Sequence, residues 1–221
     1  MTTWPALAFH SAPVSTSFSS FRQRALLATG LSLWVAVAVA GVKWLNNYSF
    51  TPGELGSAPA AWPEGADLPR SPARSTLVVA MHPGCPCSRA SLSELESLLA
   101  QAGGRLEARV IFAAVATPEP AEASDLFRRA QSLPHVTALV DPEGRRLRAF
   151  GLRTSGETRL YRADGSLAYR GGITLARGHV GDNPGRAAVL AALRMEDVCG
   201  TDGPANQPVF GCALNSGDPG S

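Results

Sequence analysis

The stretch Thr76-Leu-Val-Val-Ala-Met-His-Pro-Gly-Cys-Pro-Cys-Ser88, running on through Leu92, Leu95, Leu98 and Leu99, decides how this chain folds. Thr76 to Met81 is a short, unbroken apolar run, as in a strand buried on both faces of a sheet. His82 to Ser88 is a Pro/Cys turn. The leucines that follow recur at helical spacing. Ser91 with Glu94 offers a capping box for that helix, and a start at Cys87 is the alternative. Gly103-Gly104 ends it. A buried strand, a tight turn and a helix form one βα step, with two cysteines where the helix opens.

Downstream, Leu106 to Val115 reads as a second strand through Val110-Ile-Phe112. Ala121 to Ser132 has a helical pattern, and Val136 to Val140 is a short strand stopped by Asp141-Pro-Glu-Gly144. Thr158–Tyr161 and Ser166–Tyr169 flank the turn Ala163-Asp-Gly165 and predict a hairpin. Asn183 can cap a last helix, with Pro184 at its first position and residues 187–193 as its body. Strand, helix, strand, helix, strand, then hairpin and helix predict an α/β domain with a central mixed sheet flanked by helices. Arg145 to Arg148 reads as a solvated face.

Upstream, Ala25 to Val42 is free of charge, long enough to be a spanning-helix candidate. Arg22 and Arg24 precede it, and no Asp or Glu occurs before Glu54. That bias predicts a cytoplasmic N-terminus and an exported remainder. Trp44 and Tyr48 sit where interfacial anchors would. The rival reading is a signal peptide cleaved near Ala38-Val-Ala40. The expected organisation is a disordered tail over 1–24, a transmembrane anchor over 25–45 and a Pro/Gly/Ala-rich linker over 46–75. The folded domain then covers 76–195, and a Cys-containing tail covers 196–221. The protein is expected as a single-pass membrane protein, its C-terminal domain on the periplasmic or equivalent side.

The chain has 221 residues and a net charge of +2, without long Lys/Arg runs. Nothing in that charge marks a nucleic-acid partner. Its four cysteines, Cys85, Cys87, Cys199 and Cys212, all follow the apolar segment, which suits disulfide chemistry in an oxidising compartment.

Cys85 and Cys87 carry the chemistry. A helix N-terminus presents unpaired N–H groups and partial positive charge, and both stabilise a thiolate. A second thiol close by can resolve a mixed disulfide. Two cysteines separated only by Pro86 close too small a ring to be useful as a staple. The alternatives for this pair are metal binding or two inert buried thiols. His82 and His179 are supporting candidates, each with a plainer role in capping or packing; His10 and His135 are given none.

At these residues the sequence resembles the thioredoxin superfamily from Thr76 to about Leu193. In detail it is similar to RedB-type membrane-anchored thioredoxin-like proteins. The matching stretches are His82 to Ser88, Gly171-Gly-Ile-Thr174, Arg177-Gly-His179 through Asn183, and Pro208 to Leu214. The resemblance implies a thioredoxin-like fold, with Cys87 matching the second active cysteine and Cys85 approximating the first. The usual spacer of two residues is here only Pro86. Ser155-Gly-Glu-Thr158 stands where a Pro-Thr pair is expected beside the active thiols.

The leading expectation is a membrane-tethered thiol–disulfide oxidoreductase without a cofactor. Its partners would be protein thiols and disulfides and an upstream redox protein. Cys85 would attack and Cys87 resolve. The alternative is a copper or zinc module using Cys85, Cys87 and His82. A peroxide-reducing enzyme ranks last, because no Thr or Arg surrounds the cysteine as such sites require. Cys199 and Cys212 are expected to form a local structural disulfide, closing a loop worth roughly 3 kcal/mol in the entropic model. The competing ideas are that one of them shuttles electrons to Cys85 or Cys87, or that all four cysteines hold one metal.

Overall fold

The computed structural model describes residues 17–114, 120–195 and 204–214. Two compact units divide the chain, Met1–Asn46 and Asn47–Ser221.

The described residues of the first unit lie in helix α1 (Ser17–Phe50). Within its segment Ser20–Phe50 the most apolar 18-residue window has a mean hydropathy of 2.1, and none of that window is buried. Leu26, Leu31, Trp34, Val37 and Trp44 are all exposed. A helix that is apolar around its circumference and long enough to cross a bilayer suits lipid. The helix outruns the expected 25–45 at both ends.

The second unit is built on a six-stranded sheet of order β3-β2-β1-β4-β5-β6. Strand β1 (Ser75–Met81) lies at its middle. It pairs in parallel with β2 (Leu106–Ala113), which pairs in parallel with β3 (Val136–Asp141). On the other side β4 (Glu157–Tyr161) runs antiparallel to β1, and β5 (Leu167–Gly172) antiparallel to β4. A two-residue strand, β6 (Ala205–Asn206), adds in parallel to β5.

Every residue of β1 is buried. Because successive side chains alternate, the strand feeds two cores. Leu77, Val79 and Met81 face Leu92, Leu95 and Leu98 of α2 (Pro86–Ala102), Phe127 of α3 (Asp125–Ser132) and Val189 of α5 (Pro184–Met195). Val78 and Ala80 face the opposite layer, with Leu147 of α4 (Arg145–Ala149), Phe150 and Tyr161. The Arg-rich stretch is therefore a short helix whose Leu147 is buried.

That second layer has only a five-residue helix to cover it, and residues 51–74 supply the rest. The expected linker lies against the sheet. Trp62 meets Phe150 and Tyr161 edge-on at 4.9 and 5.3 Å, and Ala66 and Leu68 are buried beside them. Its backbone is paired too: Gly53 N–H donates to Val209 and Trp62 N–H to Gly165. The fully buried pair Glu157–Arg159 fixes this layer. The Glu157 carboxylate accepts from the backbone N–H groups of Gly56, Arg153 and Thr154 as well as from Arg159, whose Nη2 also donates to the Gly56 and Gly151 carbonyls while its buried Nε finds no partner.

Helix α2 begins at Pro86, with Cys85 as its N-cap, and ends at Gly103 in the left-handed conformation. The capping box expected from Ser91 and Glu94 does not form, because both lie inside the helix. Glu94 is fully buried and accepts from Gly181 N–H, Asn183 Nδ2 and Arg186 Nη1. It ties α2 to the loop before α5. Asn183 caps α5 as expected, accepting from Arg186 N–H at 2.7 Å.

Candidate active site

The turn from β1 into α2 sets the site. Cys85 N–H donates to the His82 carbonyl, and Ser88 N–H donates to the Cys85 carbonyl. Ser88 Oγ accepts from His82 N–H at 2.9 Å and lies 2.6 Å from Ser155 Oγ. The turn is thus locked to the segment before β4, where Ser155-Gly156 stands in place of the expected Pro-Thr pair. Gly156 needs a positive φ of 83° there, and its N–H donates to the Ala80 carbonyl.

A third cysteine joins the pair. Cys212 Sγ lies 2.9 Å from Cys85 Sγ, and the sulfurs of Cys85, Cys87 and Cys212 all lie within 4.8 Å of one another. Cys85 and Cys87 are buried and Cys212 is half-buried. The segment carrying Cys212 is sewn onto the domain. Ser155 N–H donates to the Cys212 carbonyl at 2.8 Å, Leu214 N–H donates to Arg153, and Thr154 bridges Ala213 in antiparallel fashion. Val209, Phe210 and Leu214 are buried.

Charge in the cluster is uneven. The Cys85 thiol is pushed well below the usual range, chiefly because the Cys87 thiol donates to it. The Cys212 thiol and the amides of Cys87 and Ser88 assist, against the opposing effect of burial. Those amides belong to the first turn of α2, the positive end of the helix. Cys87 is pushed far up by giving that hydrogen bond and by burial. Cys212 is pushed up by burial first and then by the charge on Cys85, while the Arg177 guanidinium pulls the other way. The arrangement favours the charged form at Cys85 over Cys87 and Cys212.

Arg177 lies over the Tyr48 ring, 5.1 Å from its centroid, and donates from Nη1 to the Gly211 carbonyl. His82 is half-buried, and its Nδ1 accepts from Gly84 N–H at 3.1 Å. His179 is exposed, with its N–H on the Ala176 carbonyl. Neither histidine joins the sulfur cluster. Cys199 and its expected partnership with Cys212 lie outside the described residues. A groove of about 350 Å³ runs beside the cluster, lined by Pro86, Arg89, Arg129, Gly178 and Val180. The sequence singled out both Pro208–Leu214 and the Cys-Pro-Cys turn, but held no signal that the two meet.

Three parallel strands extended by an antiparallel hairpin, with the reactive turn at the C-terminal end of the central strand, define a thioredoxin-like fold. Solved structures share it. An uncharacterized conserved protein from Geobacillus kaustophilus aligns at 18% identity and a TM-score of 0.53, covering 75% of this chain and 92% of that one. A hypothetical protein from Sinorhizobium meliloti 1021 aligns at 22% identity and a TM-score of 0.51, covering 75% and 94%. An exposed lipoprotein thioredoxin from Streptococcus pneumoniae aligns more loosely, at 16% identity and a TM-score of 0.40, covering 62% and 98%. No protein-family model and no curated protein matches the sequence.

Proposed function

We propose that this protein is a membrane-tethered thiol–disulfide oxidoreductase that works on protein thiols and disulfides outside the cytoplasm. The observation that carries the reading is the sulfur cluster at the opening of α2. Cys85 caps that helix, its sulfur lies 2.9 Å from that of Cys212 and within 4.8 Å of that of Cys87, and a groove lined by Pro86 and Gly178 runs beside it. A low-pKa thiolate next to a second thiol is the minimum equipment for exchange. Cys85 attacks the client, and a neighbouring thiol, Cys87 in the sequence reading, resolves the mixed disulfide. Helix α1 supports the tether and the position of Arg22 and Arg24 supports export. The full-length protein in detergent should reduce insulin disulfides when supplied with dithiothreitol, and Cys85→Ser should abolish that activity. Full turnover by Cys85→Ser would sink the proposal.

The cluster of three sulfurs favours one second reading. Three thiolates suit a soft metal such as monovalent copper or zinc. The donor set would be Cys85, Cys87 and Cys212, since His82 does not converge with them. One equivalent of copper or zinc in the purified protein, released by alkylation, is the result that reading requires.

A further inference from the structure

We infer that Cys212 is the resolving thiol of the redox centre, so that the disulfide this protein cycles joins Cys85 to Cys212. This rests on the proposed exchange chemistry at Cys85 and names the second sulfur.

The backbone geometry separates Cys212 from Cys87. Cys85 and Cys87 occupy the cap and second position of one helix, with Pro86 between them. The sulfur of Cys87 also lies within 4.8 Å of that of Cys85, but both sit in one tight turn, where the proline ring fixes the intervening φ and a bond across a single residue is strained. Cys212 approaches from a different segment, 127 residues away in sequence, and its sulfur already lies 2.9 Å from that of Cys85. The bond forms with a movement of less than about 1 Å.

The approach is built. Cys212 is held on one side by the Ser155 N–H and on the other by the Thr154–Ala213 bridge and the Leu214 N–H. Gly211 lies so close to the Ser155 carbonyl that a β-carbon there would stand 1.8 Å from its oxygen. Arg177 holds the Gly211 carbonyl and brings positive charge to Cys212. A thiol fixed this way reacts as an intramolecular nucleophile of high effective concentration.

The electron balance is complete. The Cys85 thiolate attacks one sulfur of a client disulfide, forming a Cys85–client bond and releasing the other client sulfur as thiolate. Cys85 Sγ, now bonded to the client, stands next to the Cys212 thiol that approaches it at 2.9 Å. Cys212 loses its proton and attacks Cys85 Sγ. The Cys85–Cys212 disulfide forms, and the second client thiolate leaves with that proton. The client gains two electrons and the protein loses two. Cys87 forms no bond in either step.

The test uses full-length protein in detergent and 5,5′-dithiobis(2-nitrobenzoate) as the client. The first released thionitrobenzoate reports attack by Cys85, and the second reports resolution. A chain carrying Cys87→Ser and Cys199→Ser retains only Cys85 and Cys212. It should release both equivalents and show a Cys85–Cys212 cross-link in a non-reducing peptide map. Cys212→Ser and Cys212→Ala in the otherwise native chain should slow the second phase about tenfold or more relative to the first. A second phase at the native rate in both Cys212 variants overturns the inference. So does a dominant Cys199–Cys212 cross-link in the oxidised native chain. Loss of the first phase in native protein would instead defeat the exchange reading itself.

Discussion

Gly211→Ala separates the positioning of Cys212 from its chemistry, because it leaves every thiol in place. The added β-carbon would lie 1.8 Å from the Ser155 carbonyl oxygen, 2.8 Å from its carbon and 3.0 Å from Thr154 Cγ2. Ordinary contact begins at 3.4 Å, so something must yield by ~1.5 Å. Both of the nearest atoms are backbone and cannot swing aside. If the segment stays in place, strain of about 1–3 kcal/mol results. If it lifts, it gives up the Ser155 N–H bond to Cys212 and the Arg177 contact to Gly211, worth about 1 and about 2 kcal/mol. Val209, Phe210 and Leu214 are buried and hold both ends, so the displacement stays local. The two routes cost alike, and a loss of about 2 kcal/mol is expected, or a fall in Tm of about 4–8 °C for a unit of this size. Thermal unfolding of the reduced full-length protein measures it. Moving Cys212 by this much should also slow the resolving phase about tenfold to a hundredfold. A Tm within about a degree of native, or a lowered Tm with an unchanged resolving rate, refutes the link between this close approach and the position of the sulfur.

The lowered pKa of Cys85 gives a pH dependence with a definite sign. Its thiolate is lost only as pH falls through the lowered value, so its alkylation rate should stay level from about pH 8 to about pH 6, where an ordinary thiol slows about a hundredfold. Mass-spectrometric tracking of iodoacetamide labelling at Cys85 checks this, and a tenfold fall per pH unit across that range would contradict it. Cys87→Ala removes the largest cause of the shift and should move the inflection upward in the same experiment. For topology, fusions truncated after Ala60 should activate an extracytoplasmic reporter. A cytoplasmic reporter active at that junction, with the other silent, would overturn the tether's orientation.

The elements that were legible in sequence are those whose signals are local. The fully apolar run of β1, the leucine spacing of α2, the Asp164-Gly165 turn and the Asn183-Pro184 start each sit within a few residues of what they specify. Residues 51–74 were misread because their apolar content is low and their prolines look like a spacer. What holds them is long-range: Trp62 against Phe150 and Tyr161, and Gly56 N–H on the buried Glu157. Ser91 and Glu94 matched a capping pattern, but Pro86 is the better first residue of a helix and moved the start upstream. Cys85 and Cys87 were visible as a pair because they share a turn. Cys212 was visible only as a cysteine, since nothing in Pro208–Leu214 names the strand edge that receives it.

That edge explains why the third thiol belongs to the site. The Ser155 N–H faces the reactive turn and would otherwise be an unpaired donor beside Cys85. The chain fills it with its own segment, and the residue whose carbonyl does so is the one that carries the third sulfur. Two effects then bear on any disulfide between Cys85 and Cys212. The helix N-terminus and the Cys87 thiol stabilise the reduced state by holding a thiolate at Cys85, which makes that sulfur a good leaving group. Closing so long a stretch of chain favours the oxidised state, because it restricts the unfolded ensemble. The effects oppose each other, so the Cys85–Cys212 bond is suited to being made and broken. A Cys85–Cys87 bond has the first effect without the second and adds the strain of a one-residue spacer. The pair that the sequence presents as the redox couple is therefore the less reversible of the two.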